Sequence, residues 1–222
     1  MESRYSVIGL SEMVSKKETK SIRKKEDILE TAMELLLERG YSATSTNDIC
    51  AAAHINKPTL YYYFDSKRQL FFSLHIKSMQ EVLEPYLEKA DSIKDPWGRL
   101  VFMLREYTKM ICLHPELRVL IHETLSIKDE YFKQTRKVWK KHYLLLRNTI
   151  RQLQSTGKIL PDFKSSWVAV LLLGMITWIT FWFDYTRRTN QIDEIADSAV
   201  RIALNGLRSG KNSISANQKE DT

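Results

Sequence analysis

The residues of this 222-residue chain whose types and spacing could do chemistry gather in one short window: Ser45 and Thr46, then Asn56, Lys57 and Thr59, three consecutive tyrosines at Tyr61, Tyr62 and Tyr63, and Lys67. They are hydroxyls, an amide, phenols and ammonium groups, with no matched acid and base among them. Groups of this kind bind the phosphate backbone of a nucleic acid, and their apolar edges meet thymine methyls. Set on a helix at about 100° per residue, Leu60 and Phe64 share one face, while Pro58, Thr59 and Tyr62 lie opposite, flanked by Tyr61 and Tyr63. A phenol buried on every side needs a partner. Three in a row on a short helix therefore suit a groove better than a core. The competing reading is that they are ordinary surface and half-buried aromatics.

Catalytic and cofactor chemistry find no support. The five histidines, at 54, 75, 114, 122 and 142, form no HExxH, and His122-Glu123 lacks a second histidine four residues on. No GxSxG, GxGxxG or GxxxxGK[ST] occurs in a chain with only 7 glycines. Cys50 and Cys112 stand far apart without zinc-ligand spacing. The first twenty-five residues lack the apolar run and cleavage site of a signal peptide. The expectation is a cytoplasmic non-enzyme without metal or cofactor.

Helices must position the window. Apolar Ile28, Ala32, Leu35 and Leu36 recur at helical spacing from Ile22 to Arg39, and Gly40 closes the run. Ser45 and Thr46 supply capping oxygens for a helix to about Ala53, with Asp48 in its first turn. After His54, Ile55 and Asn56, Pro58 opens a helix to about Phe64. Asp65-Ser66 breaks that helix, and a long amphipathic one starts at Lys67 and continues to about Pro85 or beyond. Short helix, three-residue turn, short helix is the helix-turn-helix unit, whose second helix enters the DNA major groove.

Residues 40 to 70, GYSATSTNDICAAAHINKPTLYYYFDSKRQL, resemble the DNA-binding signature of TetR-family transcriptional repressors almost position by position. The resemblance implies an all-α protein with an N-terminal three-helix helix-turn-helix DNA-binding domain and a C-terminal helical ligand-binding and dimerisation domain. It implies that Ile49, Ala53, Leu60 and Phe64 hold the unit together, and that Ser45, Thr46, Asn56, Lys57, Thr59, Tyr61, Tyr62, Tyr63 and Lys67 occupy DNA-contacting positions. Lys67 also reads physically as a cation beside helix N-terminal amides, both directed at one phosphate. His54 stands where the family's turn usually has Gly, and a positive φ there costs a non-glycine residue of order 1 kcal/mol. The expected organisation is a flexible basic arm over 1–20, the DNA-binding domain over 21–67 with its motif at about 45–64, the ligand-binding and dimerisation domain over 68–208, and a disordered tail over 209–222.

The periodicity after Leu70 gives helices from Asp95-Pro96-Trp97 to Cys112, from His114-Pro115 through Leu125, from Lys128 to Leu153 ending at Gly157, over Ser165 to Tyr185, and from Ile192 to Leu207. Ile195, Ala199, Ile202 and Leu207 share the stripe of the last. Ser165 to Phe183 is uncharged and close to the roughly 20 residues that span a bilayer. A helix apolar all round can equally be a buried central helix or a dimer interface, and in a chain of amphipathic helices that reading is preferred, without membrane. The family resemblance implies an inducer between these helices and a homodimer through the last two long ones. Phe102, Tyr107, Trp139, Tyr143, Trp178, Phe181 and Trp182 are the pocket candidates, with plain core as their alternative.

HPELRVLIHETL, WITFWF and IADSAVRIALNGL are similar to the C-terminal domains of members that sense fatty acyl-CoA or steroid-derived CoA thioesters. Charge supports this: the net +7 arises from 34 Lys+Arg against 27 Asp+Glu, and Lys128, Lys133, Arg136, Lys137, Lys140, Lys141, Arg147 and Arg151 face only Asp129 and Glu130 within one helix. Such a surface attracts the phosphates of a CoA head group, or is simply a solvated face. The alternative inducer class is lipophilic or aromatic toxic compounds. The expected partners are a pseudo-palindromic double-stranded DNA operator, a small-molecule inducer and a second copy of the chain.

Overall fold

The computed structural model describes the backbone of residues 3–126, 130–185 and 191–208, and side chains from residue 19 onward outside 124–132. Among the described residues every regular element is a helix: α1 Ser3–Ala43, α2 Thr46–Ala52, α3 Lys57–Tyr63, α4 Lys67–Ser78, a π-helical turn Met79–Leu83, α5 Glu84–Ser92, α6 Pro96–Leu113, α7 Pro115–Ser126, α8 Glu130–Ser155, α9 Ser165–Thr177, α10 Ile179–Trp182 and α11 Ile192–Leu207. An isolated bridge between Ile159 and Arg208 is the one strand-like pairing among them. The chain forms two units, residues 1–80 with 116–135, and 81–115 with 136–222.

In the first unit α1 kinks where the sequence stops favouring it: Gly40 takes φ +79°, a positive-φ conformation that glycine adopts without steric cost, and a last short turn runs on to Ala43. Its start differs from the sequence expectation. Backbone helix runs from Ser3 where the arm was expected, through Lys-, Glu- and Ser-rich residues that no proline interrupts. The face of α1 carrying Ile28, Ala32 and Leu36 packs on Ile49 of α2, Leu60 and Phe64 at α3, Leu70 and Leu74 of α4, and Val119 and Leu120 of α7. Thr44 is buried and satisfied, its hydroxyl donating to the Gly40 carbonyl at 2.8 Å.

The helix expected from Lys67 to about Pro85 or beyond runs on to Ser92, but through a π-helical turn. Pro85 has no N–H, and its ring crowds the carbonyl four residues back. The π turn at Met79–Leu83 widens the helix at that place, and Pro85 then sits in the first turn of α5.

In the second unit α6 is the central helix, with Leu100, Met103, Leu104, Tyr107 and Ile111 buried, and α5, α9, α10 and α11 pack on it. Asp95 caps it by accepting from the Gly98 N–H at 2.7 Å, and those bonds hold the carboxyl below its usual range. Gly157, at φ +68°, ends α8. α11 packs through Ala196, Ala199, Ala203, Leu204 and Leu207, while Ile202, expected on the inward stripe, is 65% exposed. Alanines let α11 approach α6 closely. At its edge Arg105 pairs with Asp193 at 2.9 Å and with Asp197, and Lys109 pairs with Asp193 at 2.7 Å. The helix expected over Ser165 to Tyr185 stops short: α9 and α10 join through Trp178, which stays helical at φ −62° and ψ −20°, and Phe183 is extended. The expected tail over 209–222 and Lys128 lie outside the described residues.

Candidate nucleic-acid interface and ligand unit

The short helices of the first unit are fixed by local bonds that the sequence dictates. Ser45 and Asp48 form a capping box: the Asp48 N–H donates to Ser45 Oγ at 3.2 Å, and the Ser45 N–H donates to Asp48 Oδ2 at 2.7 Å. The Ser45 hydroxyl, then its backbone N–H, holds the Asp48 carboxyl below its ordinary value. α2 ends in a left-handed residue, with His54 at φ +52°, the His54 N–H on the Ala51 carbonyl at 3.3 Å and the Ile55 N–H on the Cys50 carbonyl at 2.9 Å. This pair of bonds is the Schellman arrangement, which ordinarily places Gly where His54 stands. Asn56 then caps α3, its Oδ1 accepting from the Thr59 N–H at 2.9 Å and the Thr59 hydroxyl at 2.6 Å.

Exposure on α3 follows the helical angle. Leu60 and Phe64 are buried, Tyr62, opposite them, is 77% exposed, and Tyr61 is 48% exposed. Lys57 and Pro58 are also exposed. Tyr63 turns the other way: half-buried, it lies edge-on to Tyr62 at 5.0 Å and accepts from the Ser21 hydroxyl at 3.4 Å. Among the nine residues singled out by sequence, Lys57, Tyr61 and Tyr62 thus project outward. Ser45, Asn56 and Thr59 have polar atoms engaged in caps, and Thr46 is half-buried at the first position of α2. Lys67 is placed differently from its sequence reading. Its Nζ donates to the Tyr41 carbonyl and lies 4.0 Å from the centre of the Tyr41 ring, and burial lowers its pKa. It ties the start of α4 to the chain just after Gly40.

The seven pocket candidates separate. Tyr107 is fully buried, its hydroxyl 2.7 Å from Thr177 Oγ1, and burial pushes the phenol up to about 12. Phe102 is half-buried and stacked on Tyr86 at 6.0 Å. Trp139 is half-buried with its ring 6.5 Å from His142, and Tyr143 lies under Arg147 at 5.8 Å. Trp178, Phe181 and Trp182, 58%, 50% and 77% exposed, line no interior. They stand on an outer apolar face with Trp167, Val170 and Leu171, because an all-apolar helix buries whichever side meets α6 and leaves its bulk outside. A groove of about 450 Å³ opens between α9, α10 and α11, lined by Met175, Ile176, Ile179, Glu194, Ile195 and Ile202 among others.

Sequence reasoning missed Tyr86 and His142. Tyr86 donates its hydroxyl proton to the Met103 carbonyl at 3.1 Å and lies 3.1 Å from His142 Nε2. The signal was present: His142 interrupts the apolar face of an otherwise amphipathic basic helix, three residues after Trp139 and four before Leu146.

A capped helix-turn-helix with an exposed aromatic second helix, followed by a separate helical unit, defines a DNA-binding regulator as the class. The chain matches the family model for bacterial regulatory proteins of the tetR family over residues 28–74, and that for the tetracyclin repressor-like C-terminal domain over 94–207. This protein belongs to the tetR family of DNA-binding transcriptional regulators. It is 22% identical over 174 residues, 75% of this chain and 79% of the relative, to a probable acrEF/envCD operon repressor of Escherichia coli. Among solved structures it superposes on the ketosteroid transcriptional regulator KstR2 of Mycobacterium tuberculosis with a TM-score of 0.75 at 20% identity, covering 84% of this chain and 95% of that one. It superposes on AibR, solved with isovaleryl coenzyme A and operator DNA, with a TM-score of 0.73 at 28% identity, covering 81% and 97%.

Proposed function

We propose that this protein is a repressor that binds a pseudo-palindromic operator as a homodimer and is released by a CoA thioester. The observation that carries the DNA reading is α3: capped by Asn56, anchored by Leu60 and Phe64, and presenting Lys57, Tyr61 and Tyr62 outward. Tyr62 offers its ring edge and hydroxyl to a major groove, with Lys57 at the helix start positioned for phosphate. Ser45, Thr46, Asn56, Thr59 and Tyr63 fix the angle at which α3 is offered and can add contacts through atoms left free by the caps. Two such heads read half-sites about 34 Å apart or a multiple of it.

The outer face of α9 and α10 supports the dimer. Trp167, Trp178 and Trp182 are 64%, 58% and 77% exposed on one uncharged stretch, and an exposed apolar patch of this kind marks a protein or membrane contact. Ser165–Trp182 is long and apolar enough to cross a membrane by length and composition. The buried Val168, Ala169, Leu172 and Ile176 favour a helix packed on protein along its inner side, with the outer side left for a partner. Both cysteines are free and buried, compatible with the cytoplasm.

For the inducer, two observations support a CoA thioester: the likeness to AibR, and the exposed Arg136, Lys137, Lys140 and Lys141 on α8, cations for which phosphates are the natural partners. The aromatic centre at Tyr86, Phe102, Tyr107 and Trp139 favours, as second reading, a lipophilic aromatic inducer without phosphates.

Operator selected from random duplex DNA, followed by fluorescence anisotropy at fixed salt, tests both parts. Tyr62→Ala is expected to weaken binding about tenfold or more, the scale of one or two lost base contacts, with an unchanged melting temperature. Unaltered affinity removes α3 as the reading element. Isovaleryl-CoA is expected to release operator, and its failure at millimolar concentration ends the CoA reading.

A further inference from the structure

The centre of the second unit holds a polar group whose bonding can be worked out proton by proton. Tyr86 has one hydroxyl proton and gives it to the Met103 carbonyl, which can only accept. The contact between the Tyr86 oxygen and His142 Nε2, 3.1 Å long, therefore needs its proton from the imidazole. His142 is the Nε2–H tautomer, and burial pushes its pKa from 6.5 down to about 3, so the ring is neutral at pH 7. Its Nδ1 is then a bare lone pair. That nitrogen is buried and meets no hydrogen-bonding group among the described residues, whereas the hydroxyls of Tyr86 and Tyr107 beside it are both satisfied.

A buried acceptor without a donor is costly and rare, and this one sits in an aromatic box. The rings of Tyr86 and Tyr107 stand edge-on to the imidazole at 5.3 and 4.7 Å, 83° and 78° from its plane. Trp139, one turn earlier on α8, lies 6.5 Å away, and Phe102 stacks on Tyr86. Burial within the box is uneven: His142, Tyr86 and Tyr107 are buried, while Phe102 and Trp139 are half-buried. Flat apolar walls around one unmatched polar atom are how a small-molecule site combines affinity with orientation.

We infer that His142 is the polar anchor of the inducer site, its Nδ1 accepting a hydrogen bond from an uncharged O–H or N–H group on an otherwise apolar or aromatic part of the ligand. This rests on the reading of the second unit as the inducer-binding one. The lone pair sets the chemical class. A carboxylate or phosphate has no proton to give and is repelled, an ether or ester oxygen leaves the acceptor unmatched, and a hydroxyl, indole N–H or amide N–H satisfies it. The pantetheine amides of a CoA thioester belong to the accepted class, and a free fatty acid does not.

Indole and benzofuran are near-isosteric probes that differ in carrying N–H or a ring oxygen. Titrated into the full-length protein by calorimetry at pH 7, indole is expected to bind about tenfold more tightly than benzofuran, the worth of one neutral hydrogen bond. His142→Phe is expected to abolish that preference, and His142→Asn, whose amide oxygen stands close to the place of Nδ1, to restore part of it. Long-range 1H–15N spectra of histidine-labelled wild-type protein need no variant. They should show the Nε2–H tautomer, with Nδ1 moving upfield on addition of indole and not of benzofuran. Equal binding of the two probes, no binding of either, a preference that survives His142→Phe, or an Nδ1–H tautomer overturns the assignment. Failure of isovaleryl-CoA to release operator, with the indole preference intact, removes the CoA inducer and leaves the anchor standing.

Discussion

Lys67 separates two readings that make opposite demands on one side chain. Its family position, at the start of the helix after the reading head, implies a phosphate contact; in the folded chain its ammonium instead donates to the Tyr41 carbonyl and sits 4.0 Å over the Tyr41 ring. Replacing it with alanine removes a charge-assisted bond to a backbone carbonyl, about 1.5–3 kcal/mol where water is excluded. Lys67 is only half-buried, which lowers that figure, and a partly exposed cation–π contact adds about 0.5–1 kcal/mol. Side-chain freedom regained by the unfolded chain offsets part of the total. The net expectation is a loss of about 1–2 kcal/mol from the first unit, where each kcal/mol is roughly 4–8 °C in a unit of this size. Lys67→Met keeps the alkyl stem on Tyr41 and should lose less. The assay is paired: thermal melts of each variant, and operator affinity from 50 to 300 mM salt. A structural lysine lowers the melting temperature and leaves the slope of log K against log salt as in the wild type, because no phosphate partner is lost. Unchanged melts together with a slope shallower by about one unit would refute the reasoning and return Lys67 to the DNA.

Trp182→Glu puts a charge into the outer apolar face at a 77% exposed position; sedimentation should show a dimer for the wild type and monomers for the variant, and a variant dimer of undiminished affinity would exclude this face as the interface. His54→Gly relieves a left-handed residue worth about 1–2 kcal/mol of strain and gives back about 0.5–1 kcal/mol in chain entropy; the urea midpoint should rise slightly, and a fall would mean that the His54 side chain stabilises the turn. Burial holds the His75 and His142 imidazoles neutral, with pKa values lowered from 6.5 to about 4 and about 3. Below pH 6.5 the unfolded chain takes up a proton at each site that the folded chain refuses, so stability falls with acid, by about 1.4 kcal/mol per pH unit per imidazole, down to pH 4 for His75 and pH 3 for His142. Urea midpoints that stay level between pH 7 and 5 would contradict the burial of both.

Element boundaries were legible wherever a single residue enforces one. Ser45, Asn56, Ser66 and Asp95 each accept a backbone N–H at the start of a helix, and Gly40 and Gly157 take positive φ at an end. The exposure of Tyr62 followed from the angle between it and the pair Leu60 and Phe64. What escaped depends on partners distant in sequence. Nothing near Lys67 announces a carbonyl 26 residues earlier, nothing near Tyr63 announces the Ser21 hydroxyl, and Tyr86 and His142 meet across 56 residues. Pro85 was visible, but a proline says only that the helix must yield nearby, not that it widens into a π turn upstream of the ring.

The uncharged segment from Ser165 shows why periodicity was silent where the protein most needed a face. With apolar residues all round, no angle distinguishes inside from outside. Size does so once the neighbours are known. Val168, Ala169, Leu172 and Ile176 go inward, as small and branched side chains must if α9 is to lie close on α6, and the tryptophans at 167, 178 and 182 go outward. A chain whose stability rested on this helix alone would bury its largest rings first, since they repay most on leaving water. Holding three of them outside, beside Val170, Leu171 and Phe181, makes chemical sense only if a second surface covers them. The outward tryptophans thus point to a second copy of the chain as their cover rather than to a pocket within one.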